Sequence, residues 1–327
     1  MNSNEFCFGI LAYNQEKEIV NTLNSIKFQI IKYGHNYKNN LIIVDDFSKD
    51  NTLKICEEWI NKNRNIFNNI FIKKNEENLG VVENYNFILD KIIGSNFKII
   101  AGDDLISNND IYTISDFMDR TTLLCGIKFS FQSDKLVVDD KTIYQQFYLI
   151  NAKLNVKKIF RLFKLGFIIS TPQTLYSKFL YENSNAKEIN SKFRLFEDNP
   201  TWYSMFKNCK KLNVRFIDKP IALYRLSEKS ISNSHTELNK KFMAELNNLY
   251  NIYIKDGDAF DKIYFKSLMK KNRYKITFSK IINKIIFIYF KLYSFIQFRK
   301  FRKFKESILE EYKIEQEYLE TILKENS

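Results

Sequence analysis

Phe97-Lys98-Ile99-Ile100-Ala101-Gly102-Asp103-Asp104 is the stretch on which the reading of this chain turns. A short apolar run closed by a turn signal predicts a buried, inner strand of a parallel sheet. Glycine ends the strand and two adjacent carboxylates follow. In open α/β sheets, ligands bind just beyond the carboxyl ends of the strands. Two carboxylates there make a hard, all-oxygen site suited to magnesium or manganese, and a cation so held grips phosphate oxygens. A solvated Asp-Asp turn is the competing reading of the stretch alone.

Upstream, the chain repeats one pattern. Phe6 to Tyr13 has strand character, and Asn14 stands where a helix cap belongs. Ile19, Val20, Leu23, Ile26 and Ile30 then recur at helical spacing. Leu41 to Val44 is a second strand, ending in Asp45-Asp46; Asp50, Asn51 and Thr52 open the helix that carries Leu53, Cys56, Trp59 and Ile60. Ile70 to Ile72, Val81 to Ile93 and Phe97 to Ala101 complete a strand-helix-strand alternation. Such an order predicts right-handed crossovers and a parallel sheet covered on both faces. The tips after the first, second and fourth strands then share one edge. Tyr13-Asn14, Asp45-Asp46 and Asp103-Asp104 meet there. An aromatic ring can stack on a base, a carboxylate can accept a pyrimidine N–H, and a carboxylate pair can hold a cation on a diphosphate. No glycine-rich phosphate loop is present, so the cation must do the charge neutralisation.

Ile10-Leu11-Ala12-Tyr13-Asn14, Ile42-Ile43-Val44-Asp45-Asp46-Phe47-Ser48-Lys49-Asp50-Asn51-Thr52, Asn78-Leu79-Gly80 and Ala101-Gly102-Asp103-Asp104 together resemble the ordered motifs of family 2 glycosyltransferases. The resemblance covers about the first 230 residues. It implies an inverting enzyme of the GT-A fold: a Rossmann-like nucleotide-binding sheet fused to an acceptor subdomain, here with a helical C-terminal extension. The implied organisation is 1–125 for the nucleotide-sugar half, 126–235 for the acceptor half and 236–327 for a basic, aromatic helical extension. Tyr13 would stack on uracil and Asp46 would bind its N–H, with Ala12, Asn14 and Glu16 alongside. Asp104 would ligate a divalent metal, manganese or magnesium, and Asp103 the ribose or a metal-bound water. Asn78, Gly80 and Asn84 would line the nucleotide side. Many members carry a basic residue in the helix after the Asn-x-Gly turn, where this chain has Glu83-Asn84-Tyr85-Asn86. More weight then falls on the metal.

Leu123 to Phe131 is a further strand candidate, and Thr171, Pro172 and Gln173 lie in a polar loop that the resemblance turns toward the acceptor. In Phe196-Glu197-Asp198-Asn199-Pro200-Thr201-Trp202 a carboxylate pair opens an amphipathic helix. The positive end of a helix keeps such carboxylates ionised. Simple capping, with Pro200 early in the helix, fits as well. By the resemblance Asp198 is the general base and Glu197 its partner, with Trp202 on the acceptor side. A base is needed because an acceptor hydroxyl is a poor nucleophile. Leu223 to Ser232 resembles the family's closing segment. Arg225 is its candidate phosphate contact, and Ser227 stands where many relatives have histidine.

The net charge is +13, yet Lys262 to Lys305 holds 14 Lys and Arg and no Asp or Glu, so the body is close to neutral. Phe278, Ile281, Ile285, Tyr289, Leu292 and Ile296 form an apolar face beside Arg299, Lys300, Arg302, Lys303 and Lys305. This composition predicts, over 277–305, a helix lying on an anionic membrane surface. A helix packed on the body with a solvated basic face is the competing reading. Nucleic acid is not expected, because the aromatics follow helical burial spacing. The mixed-charge helix from Glu306 to Lys324 suggests pairing with a second chain. Four widely spaced cysteines fit reduced thiols, and neither a signal peptide nor a long apolar span is read. The expected setting is the cytoplasmic face of a membrane, with a UDP-sugar donor and a lipid-linked saccharide acceptor of surface-glycan assembly. A sugar nucleotidyltransferase, which lacks support from any basic glycine-rich loop over Ala12 to Lys17, and a degenerate scaffold are the alternatives.

Overall fold

A computed structural model describes residues 4–92, 94, 96–138, 140–167, 171–227, 237–269 and 277–325. The alternation read from sequence is present as β1 (Glu5–Ala12), α1 (Ile19–Tyr33), β2 (Lys38–Asp45), α2 (Thr52–Asn63), β3 (Asn69–Lys74), α3 (Val81–Lys91) and β4 (Asn96–Ala101). The chain goes on through β5 (Leu105–Ile106), α4 (Ile111–Asp116), β6 (Thr122–Gln132), β7 (Lys135–Val137), α5 (Asp140–Asn151) and α6 (Val156–Lys164). Then come β8 (Thr174–Tyr176), α7 (Lys178–Glu182), α8 (Ala186–Asn190), α9 (Asp198–Asn208) and β9 (Asn213–Arg225). Four helices end it: α10 (Glu237–Asp256), α11 (Ala259–Met269), α12 (Phe278–Ile296) and α13 (Phe298–Lys324).

The first four strands are all parallel, in the order β3-β2-β1-β4. Strand β1 is paired on both sides, and Phe6, Phe8 and Ile10 are fully buried. They pack with Ile19, Leu23, Ile26 and Ile30 of α1, the residues at helical spacing. Full burial of each such side chain stabilises the fold by roughly 1.5–3 kcal/mol. Asn14 does not cap α1; the cap position is Glu18, and Asn14 adopts φ 52° in the preceding turn.

Strand β4 corrects the expectation of an inner strand. It is the edge of this sheet, beside β1. Phe97, Lys98, Ile99 and Ile100 are buried all the same. The 3-10 turn Thr171–Gln173 and β8 cover that edge, with Phe97 edge-on to Tyr176 at 5.0 Å. An edge strand roofed by a turn reads in sequence just like an interior one.

A second sheet runs β5-β9-β6-β7, with β8 also on β6. Leu105 pairs with Leu223, so β9 leaves the sheet directly beside Asp103-Asp104.

Packing groups the chain into two units that are discontinuous in sequence. The first comprises Met1–Val138, Ile169–Leu226 and Ser307–Ser327. In it, Glu315 of α13 accepts from the Asn108 N–H and the Asn109 amide at 3.0 Å, and Tyr318, Leu319 and Ile322 are buried. That face of α13 is buried within its own unit. The second unit comprises Asp139–Ile168 and Ser227–Glu306. Tyr148 of α5 stacks on Phe290 of α12 at 4.7 Å, and Asp261 takes ion pairs from Arg161 and Lys164. The other face of α12 stays exposed through Ile281, Ile285, Ile288, Leu292, Phe295 and Ile296.

Candidate active site

The turns after β1 and β2 are laced together. The Asn14 N–H donates to Ser48 Oγ at 2.9 Å, and the Lys49 N–H donates back to Asn14 Oδ1 at 2.8 Å. The Gln15 N–H reaches Thr52 Oγ1 at 2.7 Å, and Glu16 accepts from the Asn51 N–H at 3.0 Å. Ser48 to Thr52 therefore do more than start α2: they fix the turn that carries Tyr13. That ring is 47% exposed at the strand tips, with Ala12 buried beneath it.

Asp45 accepts from the Ser48 N–H at 3.0 Å and is a turn residue. Asp46 holds the next loop. Its Oδ1 accepts from the Leu79 N–H at 2.7 Å and the Asn75 amide at 3.0 Å; its Oδ2 accepts from the Gly80 N–H at 3.0 Å. Gly80 has φ +89°, and a Cβ there would lie 2.5 Å from Arg194 Cγ. Only glycine suits both demands. Asn84 does not line the nucleotide side. It is buried, gives its amide to the Gly80 carbonyl at 3.0 Å and accepts from Asn75 at 2.7 Å. It braces the loop from below.

Asp103 and Asp104 follow β4 at the same edge. Gly102 lies against the Gln15 and Ile19 side chains, and its N–H donates to the Leu11 carbonyl at 2.9 Å. Asp104 is buried and its Oδ1 accepts from the Arg225 N–H at 2.9 Å, while Arg225 Nε donates to the Asp103 carbonyl at 2.9 Å. Burial, and then the charge of Asp103, push the Asp104 carboxyl well above the usual range; burial raises Asp103 as well. Arg225 Nη2 is buried without a hydrogen-bond partner among the described residues. Two crowded carboxylates beside an unsatisfied guanidinium suit a divalent cation carrying phosphate. Among the described residues no group of three or more His, Cys, Asp or Glu is placed to hold a metal by itself. The cation would complete its shell with phosphate oxygens and water, as magnesium commonly does.

Glu197 and Asp198 open α9, Glu197 buried and Asp198 partly exposed. Asp198 Oδ1 accepts from the Asn199 N–H at 2.7 Å and its amide at 3.2 Å. Thr171 Oγ donates to Glu197 Oε1 at 2.7 Å. Burial, and then repulsion by Asp198, push Glu197 up to about 7; burial also raises Asp198. Thr171, Pro172 and Gln173 form the 3-10 turn beside this pair, half-buried. Trp202 is corrected: it is fully buried, its indole N–H unpartnered among the described residues, so it is a core residue beneath α9 and not an acceptor contact. Of the closing segment, 228–232 lies outside the described residues.

The segment leading to Asp198 is tied to the loop that Asp46 holds. The Arg194 guanidinium, four residues before Asp198, donates to the Asn78 carbonyl and, at 3.1 Å, to Asn78 Oδ1; the Arg194 carbonyl accepts from the Val82 N–H at 3.4 Å. Burial raises both Asp104 and Asp198, and the Lys128 ammonium on β6 offsets part of that rise in each. Sequence reasoning missed Arg194, Lys128 and Asn75. It also passed over Lys98, though a lysine inside an apolar strand was a visible signal.

Residues 7–184 match the family described as glycosyl transferase family 2. A UDP-N-acetylglucosamine–dolichyl-phosphate N-acetylglucosaminyltransferase of Methanococcus voltae is 53% identical over 49 residues, 15% of this chain. The chain spans only 17% of that curated relative's length. Among solved structures, S. aureus TarS residues 1–349 is similar with TM-score 0.53 at 16% identity, over 97% of this chain and 92% of that one. The same TarS fragment in complex with UDP-GlcNAc gives TM-score 0.53 at 17% identity, over 81% of this chain and 71% of the other. At such identities the likeness is one of fold.

Proposed function

Because the chain belongs to glycosyl transferase family 2, we propose that it moves a sugar from a UDP donor to a saccharide hydroxyl, inverting the anomeric carbon. N-acetylglucosamine is the favoured sugar, from the stretch shared with the Methanococcus voltae enzyme. The observation that carries the reading is the tie of Arg194 to Asn78 and Val82, which brings the Asp198 segment onto the loop held by Asp46.

In this reading Tyr13 stacks on uracil, and Asp46 and the 78–80 loop receive its edge. Asp104, with Asp103, would hold a divalent cation, which would neutralise the diphosphate. Arg225 offers its Nη2 to a phosphate oxygen. Asn199 fixes Asp198 Oδ1 by two donated hydrogen bonds, and Oδ2 is the oxygen that would receive the proton of the acceptor hydroxyl. Asp198 takes that proton as the oxygen attacks, and the burial that raises its basicity favours the transfer. Thr171 holds Glu197 beside it.

The membrane setting is part of the same proposal. No single helix among the described residues is long and apolar enough to cross a bilayer. The exposed face of α12, with Phe295 at 78% and Ile296 at 75%, adjoins exposed Arg299, Lys300, Arg302 and Lys303. That combination suits an anionic lipid surface and a lipid-linked acceptor on the cytoplasmic side.

The test is UDP release from UDP-GlcNAc, with UDP binding measured by calorimetry with and without manganese. Asp198→Asn should lower turnover by about 10²- to 10⁴-fold, the usual weight of a general base, with UDP affinity unchanged. Unaltered turnover in that variant would reject the base. UDP binding without turnover in the native chain would favour the scaffold.

A further inference from the structure

We propose that Lys98 is a positioning residue, which from strand β4 clamps the turn at 171–174 and through Thr171 sets the Glu197-Asp198 pair against the donor crevice. The proposal rests on the reading of Asp198 as the base.

Lys98 is 1% exposed, flanked in its strand by the apolar Phe97, Ile99 and Ile100. An ammonium taken from water costs free energy unless each of its three N–H groups is satisfied. All three go to one turn: the carbonyls of Thr171 at 3.2 Å, Pro172 at 2.5 Å and Thr174 at 3.2 Å. The turn is folded around the nitrogen, and Thr174 Oγ closes it by donating to the Thr171 carbonyl at 3.1 Å. The side chain of the clamped Thr171 then donates to Glu197 Oε1 at 2.7 Å. Glu197 is the cap residue of α9, and Asp198 is its first residue.

One strand thus serves both halves of the crevice. Its end presents Asp103-Asp104; its middle reaches across to hold the segment that carries the base. Edge covering alone would be met by leucine, since a well-packed apolar side chain often stabilises as much as a buried charge. What leucine cannot do is fix three carbonyls at one point. A burial-driven fall of the Lys98 ammonium to about 7 fits the same enclosed setting.

The experiment compares Lys98→Met, Thr171→Val, Thr171→Ser and the double variant K98M/T171V. Turnover is UDP release from UDP-GlcNAc with water as acceptor. K98M and T171V should each lower kcat about 10- to 100-fold, the scale of a slight misplacement, with KM within about twofold. T171S, which keeps the hydroxyl, should stay near the native rate. K98M/T171V should be no slower than the slower single variant, because both break one link. Losses that multiply, a KM change as large as that in kcat, or native turnover in K98M would overturn the proposal. If K98M does not fold, Lys98→Gln, which keeps two N–H donors, takes its place. Should the native chain release no UDP, the transfer reading fails on its own. Lys98 is then judged by hydrogen exchange over 171–176, which K98M should speed about tenfold and which unchanged protection would refute.

Discussion

Asp46 Oδ2 accepts the Gly80 N–H at 3.0 Å across 34 residues of sequence. With the Leu79 N–H on its other oxygen, the carboxylate anchors the 78–80 loop. Asp46→Asn keeps the size but turns one acceptor into a donor against an N–H. Charge-assisted bonds of this kind contribute about 1.5–3 kcal/mol. We expect UDP affinity to fall at least tenfold, with a lower melting temperature. Calorimetry and thermal melts check this, and native values for both would contradict the anchor.

The Glu197-Asp198 pair takes up a proton as pH falls through about 7. Burial and mutual repulsion oppose two charges here, so the acidic limb of turnover should lie near neutrality. Glu197→Gln removes the like charge and should move that limb to lower pH. Thr171→Val removes a donor that favours the charged form and should move it higher. A pH profile of kcat for UDP release decides, and a limb that ignores both changes would remove the pair from the chemistry.

Glu315 is pushed up to about 8, first by burial. Its folded pKa exceeds its ordinary value of 4.5. The folded state therefore binds the proton more tightly. Its contribution to stability is full below 4.5 and is lost as pH rises toward 8. Glu315→Gln keeps an acceptor for the Asn108 N–H and never ionises. Its melting temperature should exceed the native one by several degrees above pH 8 and approach it in acid. A constant difference across pH would be the contrary result.

The exposed face of α12 should bind vesicles containing anionic phospholipid and leave neutral ones free. Each Lys or Arg near such a surface contributes about 1 kcal/mol. Phe295→Ser with Ile296→Ser should abolish flotation with the vesicles, and Lys300→Glu with Lys303→Glu should weaken it most at low salt. If light scattering instead finds a dimer that the serine changes dissolve, the face belongs to a second copy.

Much of the first unit was legible in sequence, because alternating strands and helices bury residues with regular periods. Asp45-Asp46 at the strand tip and the carboxylate pair at 197–198 opening a helix were visible. Neighbour order was not: β4 lies at an edge, and burial by the roofing turn mimics burial by a strand. Trp202 and Asn84 went astray because a helix face cannot say whether it looks into a core or a crevice. Lys98 needed the fold, since its partners are carbonyls 73 to 76 residues away.

Arg194 lies over Gly80 where any Cβ would collide. In the proposed reading, a nucleotide that settles against residues 78–80 would also settle the stretch of chain leading to Asp198. The order of loading expected from that coupling is activated sugar first, receiving hydroxyl second. Steady-state patterns would carry that signature, with UDP competing against the donor alone.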